Sequence, residues 1–359
     1  MNNRRRKMLF WIVLPMILLL GIITAAIIYW NSMLNLVTDA EKTVQTLSQE
    51  EEEALLGTTE VTETTSPEET WPVVVSDEKI TNIMLVGQNF REDEQNKLSD
   101  TMILCSINRE TKTLSMVSFM RDTYVKLPAY AGHGAGRNRM NVCYALGSSW
   151  TRTAEGGMEM LALCVEKNFG IPVHHSIEVG FETFVNVIDL MGGVEIKVTE
   201  EEAKYMTEEV GYIGEVLPGE QILDGSETLA YARIRKIDGD RERTGRQRAV
   251  LSALLEKCRG MRLLELHELA KQVLPMIVTD MDNGEITNYI FEFLPMIPDL
   301  KIQSLTCPVD NETLKGSCWD KIIDLYGYQS YVLGCDTQLN GKYLREKLGM
   351  VEETQEIVQ

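Results

Sequence analysis

Twenty-three residues without a charge, 8–30, open the chain, a polar acidic tract runs from there to about residue 79, and only beyond it does the apolar pattern become periodic. The runs 82–86 (NIMLV), 101–107 (TMILCSI) and 113–119 (TLSMVSF) read as buried strands, and 176–179 as a further short apolar run. Apolar residues return at helical spacing over 156–168 and 181–191, and the second of these helices ends at Gly192 and Gly193 before a strand at 194–198. Residues 229–237 read as a strand, which puts Tyr231, Arg233 and Arg235 on one face. A helix with Asp240 as its N-cap follows, then helices over 263–277 and 285–294, a last strand at 301–305 and a short amphipathic helix at 340–348. Strands alternating with helices of this size predict an α/β fold: a three-layer α-β-α domain around a central, mostly buried mixed sheet.

Charge changes the picture at one place. The formal total is -19, yet residues 231–248 (YARIRKIDGDRERTGRQR) hold seven Lys and Arg against three Asp and Glu. The acidic balance argues against duplex nucleic acid, which needs a broad basic surface. A local basic pocket suits a small anion: Arg forks bind oxyanions bidentately and helix N-termini attract them. Arg233, Arg235, Arg243, Arg246 and Gln247 are the candidates here. Gly87, Asp100 and Arg121 join Arg235 at predicted strand ends, where ligands of such folds gather.

The uncharged stretch is long enough to cross a bilayer, and Arg4, Arg5, Arg6 and Lys7 ahead of it keep the N-terminus cytoplasmic. The expected organisation is a basic tail (1–7), a transmembrane helix (8–30) with Tyr29 and Trp30 as interfacial anchors, an extracellular stalk (31–79) that spaces the folded part from the membrane, a catalytic domain (80–308) and a C-terminal extension (309–359). Seven cysteines without a C-x-x-C spacing imply no disulfide framework; Cys307 with Cys318 is the one pair considered for a bridge. Residues 280–285 (DMDNGE) read as a helix cap rather than a calcium loop, because position twelve is Phe291. Phe181, Phe184, Val185 and Ile188 read as core against the sheet.

Several blocks in order carry a family resemblance: NIMLVGQNFR, LSDTMILCSIN, SFMRDTYVKLP, RMNVCYALG, GFETFVNVIDLMGGVEIKV, LPGEQILDGSETLAYARIR and DGDRERTGRQR. From about Ile80 to Pro308 the chain resembles the LytR-CpsA-Psr family of Gram-positive cell envelopes. The resemblance implies a phosphotransferase that moves an anionic glycopolymer, of teichoic acid or capsular polysaccharide type, from a polyprenyl diphosphate carrier to peptidoglycan, with Mg²⁺ (or Mn²⁺) as cofactor and the lipid tail in an apolar tunnel. It makes Asp100 and Asn89 metal ligands, Arg121, Asp122, Arg233 and Arg235 catalytic, and Arg91, Asp240, Arg243, Arg246 and Gln247 substrate-binding. Asn141 and Tyr144 are pocket candidates, with a buried hydrogen-bonding role as the alternative. The family's loop reads Gly-x-Asp-x-Arg, whereas Asn89 stands here for the Asp, a neutral oxygen that is a poorer ligand for a hard cation. Gly180 stands where an acidic residue is common. The alternatives are a pyrophosphatase or phosphodiesterase with water as acceptor, and a non-catalytic binder of envelope lipid.

Overall fold

A computed structural model describes residues 29–35, 37–39, 48, 52, 71–88, 98–210, 214–325 and 328–350. Seven strands form one mixed sheet in the order β1-β10-β7-β2-β3-β4-β11. These are β1 (Thr38–Asp39), β2 (Ile80–Gln88), β3 (Ser99–Asn108), β4 (Thr113–Phe119), β7 (His175–Gly180), β10 (Val278–Thr279) and β11 (Lys301–Cys307). β3 is antiparallel to both β2 and β4, while β7 and β11 run parallel to their neighbours β2 and β4. Three two-stranded ribbons stand apart: β5 (Tyr124–Leu127) with β6 (Gly136–Arg139), β8 (Val194–Val198) with β9 (Gly219–Leu223), and β12 (Cys318–Leu325) with β13 (Tyr328–Cys335).

Period-2 alternation builds the layers. On β3 and β4, Met102, Leu104, Val117 and Phe119 face one core, where α1 (Val142–Thr151), α2 (Ala154–Phe169) and α9 (Thr337–Leu348) pack. Ile103, Cys105, Leu114 and Met116 face the other, against Leu251 and Leu255 of α6 (Asp240–Gly260). On that side α3 (Phe181–Leu190), α4 (Glu200–Glu209), α5 (Gly225–Arg233) and the β8–β9 ribbon form a second cluster around Ile188, Val194, Tyr231 and Val250. The mixed three-layer α/β architecture is therefore as predicted.

The predicted strand 229–237 does not form, and three further local features were not legible in the apolar pattern. Residues 225–233 form a helix rather than the start of a strand: Asp224 accepts from the Glu227 N–H (2.8 Å), and the Glu227 carboxylate accepts from the Asp224 N–H (3.0 Å). This reciprocal cap was readable in Asp224-Gly-Ser-Glu227 and outweighs the short alternation that follows it. Strand 194–198 forms as predicted but pairs only with β9, outside the central sheet. Residues 29–35 and 37–39, at the predicted end of the span and start of the stalk, touch the domain: Tyr29 pairs with His267 (2.9 Å), Trp30 donates to Thr287 (3.0 Å), Leu34 is buried and β1 adds an edge strand. The β12–β13 ribbon was not foreseen, and with α9 it joins the main core through Leu344, Leu348 and Cys335.

All seven cysteines are free thiols, so Cys307 and Cys318 form no bridge. Asp282 caps α8 (Asn283–Phe293) reciprocally with Glu285, as the helix-cap reading of that stretch requires. No helix among the described residues is long and apolar enough to cross a membrane; the predicted span 8–30 lies outside them except for Tyr29 and Trp30.

Candidate active site

Four segments deliver charge to one end of a cavity: the start of β3, the chain leaving β4, the end of α5 with the turn after it, and the start of α6. Near the end of β2, an added Cβ on Gly87 would stand 2.8 Å from the Thr101 Cβ, so the two strands are close here. Asp100 is the second residue of β3, and the chain leaving β4 presents Arg121 and then Asp122. From the opposite side come Arg233, the last residue of α5, and Arg235, two residues on, beyond a buried and extended Ile234. α6 starts at Asp240 behind Gly239, whose φ of 99° suits glycine and which takes the N-cap place predicted for Asp240. Its first turns bring Arg243 and Gln247 to the cavity, while Asp240, predicted to bind substrate, is buried among Arg121, Arg235 and Arg243 and does not line it.

Arg121 is the hub. Its Nη1 lies 3.2 Å from Asp100 Oδ1, and its Nε lies 3.5 Å from both Asp122 Oδ2 and Asp240 Oδ1. Arg243 reaches Asp240 Oδ1 at 2.9 Å and donates to the Asp100 carbonyl at 3.1 Å. Arg235 stands 3.7 Å from Asp240 and 4.0 Å from Asp122. Arg233 lies over the Phe181 ring, 4.9 Å from its centroid. With Arg139, 3.5 Å from Asp122, five guanidinium groups thus gather around three carboxylates, an excess of two positive charges. The pairing is geometrically loose: Nε of Arg121, Nε of Arg243 and both Asp240 carboxylate oxygens are buried without an aligned hydrogen bond. Buried groups of this kind normally find partners, so donors left over here are suited to an incoming oxyanion.

Burial pushes the Arg243 guanidinium below its ordinary pKa. Burial also pushes the Asp122 carboxyl up, with Arg121 opposing and Asp240 adding to the rise. Asp122 does not line the cavity; it sits behind Arg121, Arg235 and Arg139, which approaches it at 3.5 Å. The geometry makes it an orienting carboxylate for the arginines. Arg139 is a participant that sequence reasoning missed, because nothing in a four-residue polar strand marks one basic residue above another.

The cavity has a volume of about 430 Å³ and is apolar away from the arginines, lined by Leu85, Phe181, Phe184, Ile188, Leu251 and Leu254 among others. Phe181, Phe184 and Ile188 therefore form cavity wall, and Ile188 with Phe184 also belongs to the second core cluster, so on this helix face the core grades into the bore. A charged end joined to an apolar bore is what an amphiphile with an anionic head needs.

Arg246, predicted to bind substrate, does not reach the cavity. It is buried against Glu202 (2.6 Å), Asp238 and the Ile234 carbonyl (3.1 Å), and so locks α4 and the α5–α6 turn to α6. Three residues apart on α6, Arg243 and Arg246 lie only about 60° apart round the helix, so it is the neighbouring Glu202 and Asp238, not helix phase, that turn Arg246 away from the cavity. Tyr144 also stands apart, buried and donating to Glu178 beneath the sheet. Asn141 is buried at the start of α1, where its N–H donates to the Arg121 carbonyl (3.1 Å). Its part is to hold the arginine segment, not to line the cavity. Asn89 and Arg91 lie outside the described residues.

Asp100 is the one carboxylate among the cavity-lining residues, and no group of three His, Cys, Asp or Glu able to hold a metal occurs among the described residues. A single carboxylate fits Mg²⁺, which binds through one or two carboxylates plus substrate phosphates. It does not fit an all-protein cage.

Comparison with known proteins finds relatives in sequence and in fold. Two curated relatives are named polyisoprenyl-teichoic acid–peptidoglycan teichoic acid transferases. TagU of Oceanobacillus iheyensis is 33% identical over 215 residues, 58% of this chain and 62% of that protein. TagT of Bacillus subtilis is 31% identical over 192 residues, 52% of this chain and 55% of that protein. The chain thus spans between half and two thirds of the length of these relatives. A solved structure of TagT bound to LIIa-WTA shares the fold, with a TM-score of 0.58 at 23% identity over 76% of this chain and 92% of the other. TagV of B. subtilis does so with a TM-score of 0.56 at 23% identity, over 77% and 100%. A sequence model of the LytR_cpsA_psr family matches residues 32–324, and the chain belongs to that family.

Proposed function

We propose that this protein is a phosphotransferase that moves an anionic glycopolymer from a polyprenyl diphosphate carrier to peptidoglycan. The observation that carries the reading is the convergence of Arg121, Arg233, Arg235 and Arg243 at the polar end of an apolar bore. The diphosphate rests among the guanidinium groups while the first isoprene units occupy the bore between α3 and α6. A hydroxyl oxygen of the acceptor sugar attacks the phosphorus that carries the glycopolymer. The new P–O bond forms as the bridging P–O bond breaks, polyprenyl phosphate leaves, and the hydroxyl proton goes to water. Charge grows on the leaving phosphate, and preorganised guanidinium donors stabilise it more in the transition state than in the ground state. Asp122 and Asp240 hold the arginine forks in place.

Mg²⁺ would be held by Asp100 together with substrate oxygens, and it supplies further neutralisation of the diphosphate. Residues 8–30 would span the membrane with the domain outside. Tyr29 and Trp30, the last two residues of that span, contact His267 and Thr287, so the end of the span would lie beside α7 (Leu263–Val273) and α8, and Val273 lines the bore. The names of the curated relatives support the same substrates.

The test is incubation of the full-length protein with a polyprenyl diphosphate-linked glycan, Mg²⁺ and peptidoglycan fragments. Glycopolymer covalently attached to glycan is the expected product. Phosphate chemistry with water alone as acceptor, or binding without turnover, would replace the transferase by a hydrolase or a lipid binder.

A further inference from the structure

A second cleft, of about 740 Å³, opens between the β5–β6 ribbon and the C-terminal part of the chain. Its lining holds three cations, Lys126, Arg137 and Lys315, against one carboxylate, Asp336, in a chain whose net charge is -19. Trp319 of β12 also lines it and is 50% exposed. The indole lies across the partner strand at Gly334, where a Cβ would run into the ring, so the glycine is what lets the aromatic face lie flat. A flat exposed indole beside cations and hydroxyl groups such as Ser317 suits a ligand with apolar ring faces, hydroxyls and negative charge.

The cleft is joined to the arginine site. Tyr124 and Lys126 line it from the strand that starts two residues after Asp122, and Leu333 on β13 donates its N–H to the Asp122 carbonyl at 2.8 Å beside a bridge to Thr123. One short segment therefore separates the place where a diphosphate would react from a basic aromatic cleft.

We infer that this cleft is a subsite for an anionic saccharide, held by Trp319, Arg137 and Lys126, which steadies a polymer whose end reaches the arginine site. The assignment rests on the transferase reading for its purpose, but the binding itself does not. Two sources share the chemistry: the glycopolymer on the donor and the peptidoglycan acceptor.

Calorimetry on the full-length protein in detergent tests it, with a lipid-free poly(N-acetylglucosamine 1-phosphate) oligomer and a soluble peptidoglycan fragment as separate probes and a neutral dextran oligomer as control. At least one charged probe binds in preference to dextran, and which one does so identifies the source. Trp319→Ala and Arg137→Gln each weaken it about tenfold, as expected for an aromatic anchor and a charge-assisted hydrogen bond. Trp319→Phe keeps the packing and most of the affinity, which separates a binding loss from misfolding. Arg235→Ala, which strips the diphosphate site, binds the same saccharide like the parent protein. If neither charged probe binds the parent protein, or Trp319→Ala and Arg137→Gln both bind normally, the subsite is wrong. The transferase reading stands or falls separately, on cleavage of the lipid-linked donor.

Discussion

Arg243 and Arg246 lie three residues apart on α6, and the chain uses them in opposite ways. Arg246 is enclosed by Glu202, Asp238 and a backbone carbonyl, which satisfy its donors at close range. Arg243 is just as buried, yet it shares Asp100 and Asp240 with Arg121 and keeps Nε unpaired. A guanidinium whose donors are all taken is a fastener. One held in place with a donor to spare is prepared for a ligand, and the difference lies in the neighbours, not in the residue type.

The comparison breaks most sharply at the fastener. Arg246→Ala leaves Glu202 buried without its cation, and a loss of about 3–5 kcal/mol in unfolding free energy is expected from denaturant titration. Transfer per folded molecule falls far less. Arg235→Ala should do the reverse, lowering turnover about a hundredfold or more in the lipid-donor assay. Its melting temperature stays near that of the parent, because the side chain is half exposed and its ion pairs are long.

Tyr144→Phe sharpens the distinction between buried support and site. Burial raises the Glu178 carboxyl, and Tyr144 is its hydrogen-bond donor. Losing that bond costs about 1–2 kcal/mol of stability with transfer kinetics retained, as measured on the folded fraction.

The smallest effect is the pH dependence of the Glu202–Arg246 pair. Burial alone would raise the Glu202 carboxyl, but hydrogen bonds from Arg246 and Thr199 outweigh it and hold the group below its ordinary value. The pair's stabilisation is therefore present above the unfolded carboxylate pKa of about 4.3 and is lost as pH falls through the lower folded value. Thermal melts between neutral and strongly acid pH should show a steeper acid limb for the parent protein than for Glu202→Gln.

Much of the fold was legible because burial writes itself into the sequence as a period. β2, β3 and β4 are apolar runs that alternate toward two cores, and α2, α3 and α6 repeat at helical spacing. The segment 225–237 misled because its alternation of Ala and Ile with Tyr and Arg is equally a short helical face. The deciding signal was the cap at Asp224 and Glu227, which the apolar pattern does not contain.

The site was half legible. Charge concentration and strand ends pointed to Arg121, Arg233, Arg235, Arg243 and Asp100, and the cavity brings them together. Arg246 and Tyr144 carried the same kind of signal and belong elsewhere, because which way a buried polar side chain turns depends on partners distant in sequence, Glu202 for one and Glu178 for the other.

What the sequence alone determined is therefore the order of elements, the family and the location of positive charge, since each is a local or additive property of the chain. Tertiary structure alone decided which arginines are spent on carboxylates, that the face of α3 lines a bore, and that Tyr29, Trp30, β1 and the C-terminal ribbon pack on the domain. Those outcomes come from pairing and packing between segments up to about 250 residues apart, for which no single stretch holds the information.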